Sequence, residues 1–269
     1  MLIISILIVI YSYFFHKYSI WEMTPEKYIF LYKELANFYS FSEYYEDLIL
    51  YSVLFDAKDK FYIDIGAFDP ISVSVTKILY LKGWHGINIE PQIDKIELFK
   101  KDRPNDINLQ ITVGEKKGTV KFYINDQCST LEKKYSEGTN YTIDVKMDTM
   151  GNICKKYVPS NINIDFCKID VEGGEKGVLL GYDFINYRPK VFCVESTKPK
   201  TMINNYDQWE NILEKNKYTY VFSFGVNRYY VDNNYPDINK RFHRIKKYIK
   251  YFQKNFKTDR KRLYMPKID

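Results

Sequence analysis

The sequence predicts an α/β fold built on a mostly parallel sheet, and three strand ends carry that prediction. The first is FYIDIGAFDP, Phe61 to Pro70, where an apolar β-prone run stops at an acid and then at a glycine. Phe61, Tyr62, Ile63 and Ile65 read as a buried strand, Gly66 permits a tight turn or close approach by a ligand, and Ser72 to Leu81 carries helical spacing. The second is WHGINIEP, Trp84 to Pro91, a short β-prone run that ends at Glu90. The third is FCKIDVEGGE, Phe166 to Glu175, which again passes from strand into acids and glycines before the helix-like GVLLGYDF. Strands and helices alternating in this way give a parallel sheet with right-handed crossovers, and they put the three acidic strand ends on one rim.

Ahead of the first strand, MLIISILIVIYSYFF carries no charged side chain and stops at His16 and Lys17. A span needs about 20 apolar residues, a length reached near Trp21 only by taking in Lys17, which can snorkel to an interface. No basic leading region or small-residue cleavage site precedes Trp21, so residues 1–21 are expected to form an uncleaved membrane anchor in preference to a buried or interfacial helix. Lys17, the first side-chain cation, then leaves the rest of the chain cytoplasmic. Without an anchor, a soluble cytoplasmic protein is expected.

Residues 22–58, with Pro25 near a helix start and an aromatic-rich run from Tyr28 to Phe55, predict a helical extension. The main domain is expected over 59–235. Inside it the alternation breaks between Val113 and Val145, where GTVKFYI and YTIDVKM predict an insertion or hairpin near the substrate. The parallel theme resumes at Ile164 to Ile169 and at Val191 to Glu195, and a helix is expected from Asn205 to Asn216. Tyr218 to Phe224 and Arg228 to Val231, joined through Gly225, predict an antiparallel pair. In residues 236–269, Phe242, Ile245, Ile249, Phe252 and Phe256 recur at spacings of three and four among lysines and arginines, which predicts a basic amphipathic helix and tail. Such a helix docks on the domain or meets anionic lipid.

At 269 residues and 45% hydrophobic, the chain can bury one substantial core, so one domain with extensions is expected. The net charge of +6 is concentrated between Lys240 and Arg262, which suggests an acidic partner for that end alone, and no specific nucleic-acid partner is expected. Cys128, Cys154, Cys167 and Cys193 show no C-x-x-C spacing and only three histidines accompany them, so no structural metal is expected. Cys167 and Cys193 fall in predicted buried strands, where free thiols are expected, with a bridge between neighbouring strands left open.

Taken together, these segments resemble the FkbM family of S-adenosylmethionine-dependent methyltransferases. The family pattern runs from an IGA strand end through GW-x-G-INIEP and KIDVEG-x-E to L-x-G-x-DF and RP. Here it is read at Asp64 to Pro70, Gly83 to Pro91, Lys168 to Glu175, Leu179 to Phe184, then Arg188 and Pro189, with Glu195 closing the next strand. The resemblance covers residues 60–232 and departs at Phe68, Asp69 and Pro70, where many members read DIGAN with a further glycine. It implies a Rossmann-like class I methyltransferase fold, with a mostly parallel sheet, a terminal antiparallel strand and helices on both faces. It also implies S-adenosylmethionine as cofactor and the hydroxyl of a sugar or glycan as acceptor, with a small-molecule or lipid-linked acceptor left open.

S-Adenosylmethionine carries a sulfonium cation, an amino-acid head and an adenosine, so its pocket needs a close backbone turn, a ribose acceptor and negative charge nearby. By the resemblance, Asp64, Gly66 and Ala67 border the methionine end and Glu90 holds the ribose, with Asp69 and Pro91 completing the candidate set. The structural alternative is that Asp64 caps a helix and Glu90 merely ends a strand. Asp170 and Glu172, two apart in extended chain, share one face. With Glu195 at the next strand end they are candidates for a general base acting on a hydroxyl. Alternatively Glu172 caps the following helix while Asp170 binds backbone amides. Three carboxylates can also hold a divalent cation, although no spacing requires one. Cys128, Ser129, Thr130 and Leu131 resemble the family's STL element, its hydroxyls suited either to ligand contact or to a turn. His85 is expected at the surface. The absence of G-x-G-x-x-G after the first strand argues against a dinucleotide-dependent oxidoreductase. A catalytically silent, membrane-tethered binding protein is the third reading.

Overall fold

The structure, a computed structural model, describes residues 40–125, 128–136 and 141–255, with side chains as far as residue 247. Its centre is a seven-stranded sheet in the order β3-β2-β1-β7-β8-β10-β9. The strands are β1 (Phe61–Ile65), β2 (His85–Ile89), β3 (Ile107–Leu109), β7 (Phe166–Ile169), β8 (Val191–Glu195), β9 (Tyr218–Phe224) and β10 (Asn227–Asp232). β1 pairs in parallel with β2 and β7, β2 with β3, and β7 with β8. β10 pairs antiparallel with both β8 and β9, so it is the one strand of this sheet that runs against the others. The antiparallel strand is the last in the chain yet not the last in space, because β9 lies outside it at the edge. This is the mostly parallel α/β sheet expected of a Rossmann-like methyltransferase fold.

Both faces of the sheet are buried, which is why its central strands read as continuous apolar runs instead of alternating ones. Tyr62, Phe166 and Cys193 face one core, together with Leu48, Ile49 and Leu50 of α1 (Glu46–Val53) and Leu79 of α2 (Lys77–Leu81). Ile63, Cys167 and Phe192 face the other. There they meet Ile153 of α4 (Met150–Tyr157), Val178 of α5 (Glu175–Leu180) and Leu213 of α6 (Glu210–Lys215). A further helix, α3 (Ile93–Asp102), follows β2. Cys167 registers with Phe192, and Lys168 with Cys193, so the two thiols point to opposite faces of neighbouring strands. All four cysteines are free.

The predicted helix over Ser72 to Leu81 forms only from Lys77. Arg103, fully buried after α3, explains the delay. Its guanidinium donates to the Pro70 carbonyl at 2.6 Å, Ser74 Oγ at 2.7 Å and Thr76 Oγ1 at 2.6 Å, and so fixes the preceding loop in a non-helical path. Val73, inside that path, has φ 57°, outside the helical region. The helix expected from Asn205 is likewise divided, into a single 3₁₀ turn at Tyr206–Gln208 and α6.

The break in alternation is a separate three-stranded sheet of β4 (Thr112–Val113), β5 (Gly118–Tyr123) and β6 (Thr142–Asp148), with β5 and β6 antiparallel as a hairpin and β4 parallel to β6. The C-terminal helix α7 spans Pro236–Asn255. Ile238, Phe242 and Ile245 are buried in the same core as α1, and Phe242 packs on Phe222 and Tyr229. Burying one such phenylalanine contributes about 2–3 kcal/mol. Arg241 adds hydrogen bonds to the Val53 carbonyl and both oxygens of Asp56. The docked alternative therefore describes the first half of this helix, while the tail beyond residue 255 lies outside the described residues. So does the hydrophobic start at 1–21. Among the described residues no helix is long and apolar enough to cross a membrane.

Candidate active site

At the carboxyl end of β1 the chain turns at Gly66, with φ 74°. The amides of Gly66 and Ala67 donate to the Ile89 carbonyl at 3.0 and 3.1 Å, stitching the turn to β2. A Cβ on Gly66 would fall 1.7 Å from the Asp170 carbonyl oxygen. Glycine is required here by the end of β7 passing behind the turn, in addition to the positive φ. Phe68 takes φ 54°, a conformation that glycine or asparagine adopts more readily. It is held there by its amide, which donates to Glu90 Oε2 at 3.0 Å, and by Lys95, whose Nζ lies 4.0 Å from the ring centre. The bend after Gly66 is thus left-handed at Phe68 with no glycine there. Asp69 Oδ1 accepts from the amides of Ile71 and Ser72, both at 2.9 Å, as a turn cap.

Glu90 ends β2 at the neighbouring rim. Its Oε2 takes the Phe68 amide and its Oε1 the Gln92 amide at 2.9 Å, so the acid links the two strand ends. Burial outweighs these bonds and raises its pKa to about 7. Each oxygen keeps a second lone pair for a further donor.

The third rim belongs to β7 and β8. Asp170, Glu172 and Glu195 each place one carboxylate oxygen within 4.8 Å of the other two. The structure brings all three together, although not through the extended chain expected across Asp170 and Glu172: β7 ends at Ile169 and Glu172 lies in a left-handed bend. Glu172 sits at φ 54°, held by Thr130 Oγ1 donating to its carbonyl at 2.7 Å. The family-like STL segment thus positions an acid, while Ser129 and Leu131 line the cleft. Capping of the loop before α5 falls to Glu175 rather than Glu172: its Oε1 accepts from the Gly173 and Val171 amides at 3.0 and 3.3 Å. Burial, then repulsion from Asp170, raises the Glu172 carboxyl to about 8. Burial and the neighbouring acids hold Glu195 well above the usual carboxylate range.

The three rims border one open cleft. Gly66, Glu90, Pro91, Asp170 and Glu172 line it; Asp64, Ala67, Asp69 and Glu195 stand behind the lining. Ala67 packs into a small cluster with Ile96 and Phe99. Asp64 is buried, accepting from Thr76 Oγ1 at 2.8 Å. His85 is exposed, as expected.

The methyltransferase FkbM domain matches residues 64–221, more than half of the chain. The chain belongs to the FkbM methyltransferase family. Among solved structures it is similar to the methyltransferase FkbM from Methylobacillus flagellatus KT, at 16% identity and a TM-score of 0.44. The match covers 77% of this chain and 50% of that one, so this chain spans about half the length of that protein. No curated protein matches it.

Two residues of this FkbM site carry more than their motif letters suggested. Lys168, in the KIDVEG segment, registers beside Asp64 on the parallel pair, so the two side chains share a face. Its ammonium donates to the Gly66 carbonyl at 2.8 Å and stands 3.5 Å from Asp64 and 3.4 Å from Asp170. Burial pulls its pKa down, but the two carboxylates raise it further, so it stays charged. It therefore clamps the glycine turn to the acidic rim, and Asp64 acts on the cleft through it. Arg103, which holds the loop behind the turn, gave no signal beyond being a cation after an amphipathic helix.

Proposed function

We propose that this FkbM-family chain is an S-adenosylmethionine-dependent O-methyltransferase whose acceptor is a sugar or glycan hydroxyl. The observation that carries the reading is a single cleft with Glu90 at one end and Asp170 and Glu172 at the other, around the Gly66 turn. Glu43, Glu90, Asp170 and Glu172 line that cleft against one ammonium, Lys168. This balance suits a cationic cofactor and opposes the pyrophosphate of a dinucleotide. The turn argues the same way: α2 begins only at Lys77, so the helix N-terminus that binds a pyrophosphate is not formed at Gly66.

In this reading Glu90 accepts the ribose hydroxyls with its remaining lone pairs, and Pro91 flanks the nucleoside. The Gly66 turn, kept in place by Lys168, faces the amino-acid end. When bound, S-adenosylmethionine supplies a methyl group made electrophilic by its sulfonium. The acceptor hydroxyl must shed its proton as its oxygen attacks, and Asp170, Glu172 and Glu195 stand where that proton would go. Holding the two reactants in line supplies most of the remaining rate.

Calorimetry with S-adenosylmethionine beside NAD tests the cofactor, with binding expected for the first alone. Labelled S-adenosylmethionine offered with a panel of glycans tests the acceptor. Labelling confined to protein or nucleic acid would overturn the acceptor class, and binding without transfer to any acceptor would favour a silent binding protein.

A further inference from the structure

We propose that Asp170, Glu172 and Glu195 bind one divalent cation of the oxygen-seeking class, magnesium or manganese, at the acidic end of the cleft. One oxygen from each acid lies within 4.8 Å of the other two. Oxygens bound to one such cation lie at most about 4–5 Å apart, so a small rotation of these side chains closes the site. A second observation points to a ligand. Glu195 is 6% exposed and its Oε2 has no hydrogen-bond partner, and neither has Oε2 of Glu172. A buried carboxylate oxygen without a donor is costly, and Glu90 at the other end of the cleft leaves none, since each of its oxygens accepts a backbone amide.

The nearest ammonium does not answer the need. Lys168 reaches Asp170 at 3.4 Å, and among the described residues no ion pair reaches Glu172 or Glu195. The backbone meanwhile commits to the arrangement. Glu172 is kept in a left-handed conformation by the Thr130 hydroxyl, and strain of this kind persists where the surroundings over-determine a site. Three oxygen donors without histidine or thiolate select magnesium, manganese or calcium over zinc or copper.

What the cation does deepens the methyl-transfer reading and rests on it; that the cation binds does not. Asp170 and Glu172 open on the cleft, so coordination positions left free would face an acceptor. A coordinated hydroxyl gives up its proton more readily, because the cation stabilises the alkoxide, and the carboxylate oxygens not spent on the cation remain to take that proton.

The experiment is a titration of the full-length chain with Mn²⁺, followed by the paramagnetic resonance signal of the free ion and by competition with Mg²⁺. One ion per chain is expected, displaced by Mg²⁺, with affinity reduced roughly tenfold or more in Asp170→Asn and Glu195→Gln. Glu90→Gln, at the other end of the cleft, is expected to leave Mn²⁺ affinity unchanged. If Glu195→Gln does not fold, Glu172→Gln carries the same test from a half-buried position. No saturable binding, or binding that survives all three single amide variants, would overturn the site. Calorimetry with S-adenosylmethionine on the same protein separates the two readings: Mn²⁺ bound at the acids without any cofactor affinity would retain the cation site and sink the methyl-transfer reading.

Discussion

The two ends of the cleft carry the same chemical group in opposite states. At the end formed by β1 and β2, Glu90 is buried yet satisfied, each oxygen accepting a backbone amide. At the acidic end, half-buried Glu172 and buried Glu195 each have a buried oxygen without a hydrogen-bond partner. A carboxylate that ties two strand ends together is part of the scaffold before any ligand arrives, whereas a cluster of unpartnered carboxylates is stable only with something added, a proton or a cation.

The largest expected effect comes from the turn that joins the ends. In Gly66→Val the new side chain would overlap the Asp170 carbonyl. We expect a stability loss of more than about 3 kcal/mol and no cofactor binding, read by urea unfolding and calorimetry. Normal binding would mean that the turn does not set the spacing between the two ends.

Next come the acids themselves. If one of them takes the acceptor's proton, the amide variant at Asp170, Glu172 or Glu195 should keep cofactor affinity while transfer falls about 100-fold or more. Near-normal turnover in all three would leave catalysis to positioning alone. Glu90→Ala should do the reverse, weakening S-adenosylmethionine by about 1–3 kcal/mol with the fold intact. Unchanged affinity would remove Glu90 from the ribose.

The ends should also separate in pH. Glu90 ionises at about 7 and Glu172 at about 8, both raised chiefly by burial. Cofactor affinity should therefore level off at a lower pH than turnover does, and Glu172→Gln should abolish the upper limb alone. Stability moves the other way. A carboxyl whose pKa is higher in the folded state stabilises below its unfolded value near 4.5, and that contribution is lost as pH rises through about 7 and 8. Glu172→Gln should accordingly flatten the decline in unfolding free energy above neutral pH, measured by denaturant titration. The smallest effect is expected at His85, exposed and remote from both ends. His85→Ala should change stability by less than about 0.5 kcal/mol and leave cofactor affinity as it is, and a larger loss of affinity would extend the site to the outer edge of β2.

The sequence by itself determined the alternation of strand and helix, the rim on which the acids fall, and the family, because buried parallel strands and glycine turns are local patterns written in consecutive residues. Asp170 and Glu195 were legible as a group for the same reason: each closes a strand, and parallel strands end on one edge, while Glu172 joins them from the left-handed bend three residues beyond β7. Tertiary structure decided what their spacing could not, namely that Asp64 serves the cleft through Lys168, that Glu175 takes the loop amides and so frees Glu172, and that Gly66 is demanded by the neighbouring strand. It also cut short the helix after the first turn, since Arg103, 33 residues beyond Pro70 in the chain, offers that loop better hydrogen bonds than a helix would. Those outcomes depend on partners far apart in sequence, where distance and burial, and not residue type, choose which donor meets which acceptor.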